Sequence, residues 1–334
     1  MLIFVYQMKK INYNAANTII GSTIAIFSFI IYTLTVEPTA SYWDCAEYIS
    51  TSAKLQIGHP PGAPLFQMLG AIFSIFAFEN DQIALSINMM SVTSSALTIL
   101  FLFWSISHLT KGFISVNQNL SISQALKIFG SSSLGSLTFI FTDSFWFNAV
   151  EAEVYAMASL IMSLLFWLGL KWVDNIDHER GDKWLILICF VVGLSFGVHF
   201  MGLLTIPAIG LLYYFKKYSF SIKSFLIANV ISISVLLFIF KLLLPTTLSI
   251  FGYVEVFFVN EIGLPFNFGT AFSALLMIFI IYFLLKKTHS EKHYLLNTIT
   301  LCITFIFIGF SSCLLYTSDA ADDSLRVDLG GRRI

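Results

Sequence analysis

The chain has 334 residues, of which 57% are hydrophobic and only 11% charged, with a net charge of −1 and a mean hydropathy of +0.84. A soluble domain carries about a quarter charged residues, so a soluble globular enzyme is excluded. The balanced charge gives no sign of a charged macromolecular partner, and no nucleic-acid partner is expected. Apolar runs near 20 residues recur along the whole length, the signature of a multi-span helical membrane protein. The expected fold class is therefore all-α, a polytopic transmembrane helical bundle. The 35 Phe suit lipid-facing helices. Cys45, Cys189, Cys302 and Cys313 lack metal-ligand spacing and suggest no disulfide framework. Neither a soluble catalytic domain nor an internal repeat is visible.

Lys9 and Lys10 precede an apolar run over 17–36. A cleavable signal peptide is the alternative, but the run is long for one and no small-residue cleavage site closes it before Pro38. It reads as a retained first span with the lysines in the cytoplasm. The stretch 64–78 is short for a crossing. If it lies in the outer interface, eight further spans follow over 84–107, 127–142, 154–172, 184–200, 203–215, 224–244, 270–285 and 294–312, making about nine. This arrangement puts 13 of the 15 cations outside 313–334 on the cytoplasmic side, with Lys54 and Lys241 as the exceptions. Letting 64–78 span would reverse that, so the excess of inside positive charge selects the first arrangement.

The acids sort too. Glu37, Asp44, Glu47, Glu79, Asp81, Asp143, Glu151, Glu153, Glu255 and Glu261 all fall outside, almost without cations. Unmatched carboxylates beside a bilayer mark a candidate site.

The first outward loop, 35–64, is the densest part of that constellation. Ser41 reads as an N-cap with Asp44 in a capping-box position, opening an amphipathic interfacial helix over 42–55. At 100° per residue Asp44, Glu47, Thr51 and Lys54 share a sector of about 80°. The competing readings are that Asp44 only caps and that Glu47 and Lys54 form one solvated ion pair. The following IGHPPGAP stretch cannot be regular helix or strand, because its prolines enforce extended geometry. It presents His59, or serves as a rigid connector.

The second outward loop holds Asp143, Glu151 and Glu153. Placed near a helix N-terminus, these carboxylates could serve the helix dipole alone. If Glu151 and Glu153 lie on the helix they diverge by about 200°, so only one faces a shared cavity. His199 closes a later span near the outer surface, where an ordinary interfacial histidine is the competing reading. Lys241 is expected to snorkel near the outer end of its span. The last outward loop, 244–270, is aromatic and carries Glu255 and Glu261.

The strings EPTASYWDCAEYI, KLQIGHPPGAPLF, SFWFNAVEAEVYAM and GLSFGVHFMGLLTIPA resemble the blocks of a bacterial membrane family of the GT-C glycosyltransferase superfamily. The animal relatives of that family are similar to protein O-mannosyltransferases. The likeness runs from about residue 35 to 207. It implies a multi-pass enzyme of the bacterial inner membrane, with a cytoplasmic N-terminus and an active site on the outer face. The implied donor is a polyprenyl-phosphate-linked sugar, with mannose the first candidate, and the implied acceptor is a Ser or Thr of an exported protein. The family's first acidic motif maps onto Asp44 with Glu47 beside it; the second maps onto Glu151 and Glu153, with Asp143 near.

The chemistry fits those residues. A carboxylate must take the hydroxyl proton, and Asp44 is the expected base. The leaving phosphate needs a cation or donors; Lys54 is the first candidate, with His59 and His199 as donors. A single displacement inverts the anomeric carbon. Glu151 and Glu153 would order the sugar or hold a divalent ion such as Mg²⁺ or Mn²⁺; no cofactor is assigned. The alternatives are a GT-C enzyme acting on a lipid or glycan, a transporter and a membrane scaffold. Transporter sites usually lie near the midplane, whereas these acids sit in loops.

Residues 313–334 resemble the translation of a sequencing adapter and carry an abrupt burst of charge. They are set apart from a membrane catalytic module over 1–312, which is expected to be cut short at its C-terminal end.

Overall fold

A computed structural model describes residues 10–60, 62–114 and 118–311. Lys9, Pro61 and the adapter-like segment 313–334 lie outside the described residues. The chain divides into two compact units, one comprising Met1–Leu170 with Gly197–His199, the other Lys171–Phe196 with Phe200–Ile334.

In the first unit, α1 (Tyr13–Thr35), α4 (Ile83–Ile114) and α5 (Ile122–Ile140) form the packed body. A two-residue antiparallel pairing sets Ile11 opposite Leu120 at its base. The helix starts follow from local chemistry. Asn12 accepts from the Ala15 N–H to open α1, and Ser121 with Gln124 forms a reciprocal capping box on α5. Ile24, Tyr32, Val92, Ile99, Phe103, Ile128 and Ile140 make the core. Tyr32 is fully buried, and its hydroxyl donates to the Ile140 carbonyl at 2.9 Å. That bond satisfies an otherwise costly buried polar group and fixes the end of α5 against α1. Beyond these helices come α2 (Cys45–Lys54), α3 (Pro64–Ser74), α6 (Asp143–Ala149) and the start of α7 (Val154–Asn175). They carry the polar loops.

In the second unit, α8 (Asp182–Ser195) and α13 (Tyr294–Ser311) pack closely. A Cβ on Gly193 would strike the Ile306 carbonyl, and one on Gly309 would strike the Phe190 carbonyl. Lipid gives helices no hydrophobic reason to associate, so close backbone approach at small residues drives the contact. Next, α9 (Thr205–Lys217) and α10 (Ile222–Leu237) form a hairpin with Ser221 as the cap of α10. A π-helical turn over Phe238–Leu243 joins α10 to α11 (Leu244–Val256), and another covers Phe257–Glu261. The last two helices are α12 (Phe268–Ser290) and α13.

The count of nine spans is met only in part, and the last outer loop changes. Six stretches are long and apolar enough to cross a membrane: Tyr13–Thr35, Asn80–Ile114, Val154–Asn175, Ile222–Glu261, Phe268–Ser290 and Tyr294–Ser311. Of the nine expected spans, 127–142, 184–200 and 203–215 are not among them. The region 127–142 falls in serine-rich α5, while α8 and α9 are about 20 Å long by their rise per residue, against a hydrocarbon core of about 30 Å. The stretch 64–78 is short as expected, with α3 covering 11 residues. The expected outer loop 244–270 is helical as far as Glu261. Pro245 does not break it, because it sits in the first turn of α11, where its missing N–H costs little. Lys241 lies exposed in the π-turn with its ammonium over the Phe240 ring. Glu255 accepts from the N–H groups of Asn267 and Thr270, at 2.6 and 2.7 Å, and so serves the N-terminus of α12.

Candidate functional site

The first outward loop is tied down by a residue that sequence reasoning passed over. Asn88 of α4 is fully buried, and its amide donates to the carbonyls of Glu37 at 2.6 Å and Thr39 at 2.9 Å. Its signal in the sequence was a lone carboxamide inside an apolar helix, which is costly unless bonded. The Glu37 N–H donates to the Val150 carbonyl at 2.9 Å, joining the first outward loop to the second.

Ser41 does not cap a helix. Its hydroxyl donates to Glu151, and α2 begins later, at Cys45, with Asp44 as the residue before it. The hydroxyl proton points to the buried Glu151 carboxyl, which orients Ser41 toward the second loop, and the later start of α2 puts Asp44 in the cap position instead. Asp44 makes no side-chain cap bond, so its carboxylate is available for other work. The preceding Trp43 has φ 59°, the left-handed region that a bulky residue rarely enters. Tyr42 and Trp43 stand 81% and 84% exposed at this turn.

Asp44, Glu47 and His59 converge. His59 Nδ1 lies 3.1 Å from Glu47 Oε2, its backbone N–H donates to Glu47 Oε1 at 2.5 Å, and its Nε2 lies 3.8 Å from Asp44 Oδ2. Gly58 makes this approach possible, because a Cβ there would stand 2.9 Å from the same Glu47 oxygen. A turn closed by Gly62 N–H to the His59 carbonyl at 2.8 Å holds the loop. The His59 backbone N–H, helped by the ring, holds the Glu47 carboxyl below its usual range. The hydrogen bond and charge of Glu47, with Asp44 and Glu153 adding to it, raise the His59 imidazole above its ordinary value. The three side chains are roughly half exposed, so a substrate can reach them.

Behind them sit the two other acids. Glu151 and Glu153 are 2% and 4% exposed. Both precede α7 rather than lying on it, so the expected helical divergence does not apply and both engage the first loop. Glu153 Oε1 accepts the Asp44 N–H at 3.1 Å. Burial, reinforced by the charges of Asp44 and Glu151, pushes the Glu153 carboxyl up to about 7. Burial raises Glu151 as well, and its Oε1 is buried without a partner.

The remaining candidates are more dispersed. Lys54 is exposed in the last turn of α2, about 15 Å along the helix from Asp44, and makes no ion pair among the described residues. Thr51 is buried and receives the Gln67 amide at 2.9 Å, so it locks α2 to α3 instead of facing solvent with Lys54. Asp143 is exposed in the first turn of α6. His199 packs against Tyr155, two residues beyond Glu153, with ring centroids 5.5 Å apart. The Gly197 carbonyl nearby accepts the N–H groups of Leu65 and Phe66 at the head of α3.

Asp44, Glu47 and His59 can each offer one ligand atom within 4.8 Å of the others, a mixed oxygen and nitrogen set compatible with a divalent cation. Glu151 and Glu153, the positions first considered for such an ion, are turned instead to Ser41 and the Asp44 N–H.

These features define a multi-pass helical membrane protein whose loop acids and one histidine are gathered at the ends of its helices. Residues 44–222 match the family described as the Protein O-mannosyl-transferase TMEM260 N-terminal domain, and the chain belongs to that family. All eight candidate residues fall inside the matched stretch. The Protein O-mannosyl-transferase tmem260 of Dictyostelium discoideum is 27% identical over 155 residues, covering 45% of this chain and 17% of the relative. The Protein O-mannosyl-transferase TMEM260 of Mus musculus is 25% identical over 178 residues, covering 52% and 22%. The chain thus spans about a fifth of the length of these curated relatives. No solved structure matches it.

Proposed function

We propose that the chain is the N-terminal catalytic part of a membrane protein O-mannosyltransferase. It would move mannose from a polyprenyl-phosphate donor to Ser or Thr hydroxyls of exported proteins. The names of the relatives support the sugar and the protein acceptor. The observation that carries the reading is the convergence of Asp44, Glu47 and His59 at the head of α2, backed by two buried acids.

Asp44 is the general base. It is accessible, its side chain is not used as a cap, and its backbone is held by Glu153. It takes the acceptor hydroxyl proton as the oxygen attacks the anomeric carbon from the face opposite the phosphate. The bond to phosphate breaks in the same step, which inverts the configuration. His59, 3.8 Å from Asp44 and kept protonated to higher pH by Glu47, lies on the base side and orients Asp44, and Lys54 supplies longer-range positive charge to the departing phosphate. Tyr42 and Trp43 offer exposed rings to the sugar or the acceptor. His199 and Asp143 stand further along the same loops and would bind substrate. The loop acids then face the extracytoplasmic side, with the N-terminus in the cytoplasm of a bacterial inner membrane.

Membranes carrying the protein are assayed for transfer from polyprenyl-phosphate mannose to a Ser/Thr-rich exported protein. Transfer should fall about a thousandfold in Asp44→Asn, the scale expected when a base and its electrostatic help are lost together. Transfer that survives in Asp44→Asn moves the base elsewhere, with Glu47 and Glu151 next. An intact protein that glycosylates only a lipid or glycan overturns the protein acceptor.

A further inference from the structure

The second unit contains a cavity of about 520 Å³ between α8, α9, α10 and α13, within the size range of about 300–1,000 Å³ typical of ligand sites. Its wall is almost wholly apolar, with Ile188, Val192, Ile209, Ile227, Val235 and Ile239 among the lining residues. The lining runs from Ser224 to Ile239 along α10 and the π-turn, about 22 Å of helical rise. That is shorter than the full hydrocarbon core of about 30 Å and longer than one leaflet's share of it.

The two ends differ. At the α9–α10 turn the lining includes Tyr213, Tyr214, Tyr218 and Ser224. The Tyr214 and Ser224 hydroxyls lie 2.7 Å apart, and Tyr213 stacks on Trp172 at 5.5 Å. Tyr and Trp gathered in this way mark the level of lipid headgroups. Lys216 and Lys217 close α9, and Lys223 opens α10, beside these rings. Asp177 takes up Lys217. Lys216 and Lys223 are exposed and make no ion pair among the described residues. The other end, at Val235 and Ile239, adds no Tyr or Trp to the lining, and the cation nearest to it in sequence is Lys241, exposed in the π-turn with its ammonium over the Phe240 ring rather than grouped with other lysines.

We propose that this unit binds an anionic glycerophospholipid, with one acyl chain in the cavity and the phosphate head at Lys216 and Lys223. An apolar channel of leaflet length accepts a hydrocarbon chain, and basic residues at its headgroup end select negative charge. A polyprenyl chain long enough to cross the bilayer would outrun the channel. The site is independent of the transferase reading, since none of the residues given a role there lines it.

The full chain, purified in mild detergent, is tested by native mass spectrometry and by thermal unfolding with added phosphatidylglycerol, phosphatidylcholine or polyprenyl phosphate. A retained phosphatidylglycerol adduct and a melting temperature raised by that lipid over phosphatidylcholine support the site. Ala228→Phe, which places a ring in the channel, should abolish the adduct. The surface double variant Lys216→Gln/Lys223→Gln should fold normally and weaken phosphatidylglycerol binding about tenfold or more. Equal binding of the two phospholipids overturns the proposal, as does an unchanged affinity in the double variant. Displacement of phospholipid by polyprenyl phosphate also overturns it and gives the cavity to the donor tail. If Ala228→Phe does not fold, the lysine variant decides.

Discussion

The two units handle acids in opposite ways. In the second, Asp177 at the hydrophilic turn after α7 meets Lys217 in the open, and each partner shifts toward its charged form. In the first, Glu151 and Glu153 are buried beside Asp44 and meet hydroxyl and backbone donors, with no salt-bridged Lys or Arg among the described residues. The exposed pair is what water and mobile side chains produce at any polar turn. The buried acids raise the free energy of their own charged forms, and a fold keeps such an arrangement only where something else compensates. The contrast separates an acid that solvates a turn from acids that build a site.

The thousandfold loss expected of Asp44→Asn is the sharpest break in that contrast, since it changes one exposed oxygen and leaves the buried acids in place. Next is Ser41→Ala. It removes the hydroxyl that Glu151 uses and leaves both of that carboxylate's oxygens without a side-chain donor. Leaving such a group unsatisfied costs about 1–3 kcal/mol, to be read as a lower denaturation midpoint in detergent.

Glu153→Gln sharpens the comparison through pH. With its folded value at about 7, above the ordinary carboxylate value of 4.5, Glu153 binds protons more tightly in the folded chain. Wild-type stability should therefore be highest below about pH 4.5 on this account and should decline as pH rises to about 7. The Gln variant lacks that decline, so it should melt above wild type at pH 8, and the difference should close at pH 4.5. Thermal scans at the two pH values check it; the same difference at both would mean that only packing had changed. The smallest effect belongs to Asp177→Asn, which should leave both melting and transfer within error of wild type. A large loss there would erase the distinction between the two acidic regions.

Much of the fold was legible because lipid leaves so few options. The apolar segments corresponding to α1, α4, α7, α10, α12 and α13 announce themselves by length and composition alone, since a spanning backbone must satisfy its own polar groups. Nine crossings are not shown: 127–142, 184–200 and 203–215 fall outside the six long apolar stretches, where hydropathy alone does not tell a short packed helix from a span. Pro245 does not interrupt its helix, because the π-turn ahead of α11 places it where a helix tolerates it.

The sequence by itself determined that Asp44, Glu47 and His59 lie on one loop of a membrane protein, because residue type and the restricted HPPG stretch are local properties. Only the tertiary structure decided what each residue faces. Ser41 left the helix for Glu151, Thr51 turned to Gln67, and Glu151 and Glu153 both reached the first loop from outside a helix. Those partners are separated by up to 110 residues. Helical periodicity predicts neighbours three or four positions apart. It is silent on contacts that form when Asn88, buried in another helix, draws a loop down and brings the second loop against it.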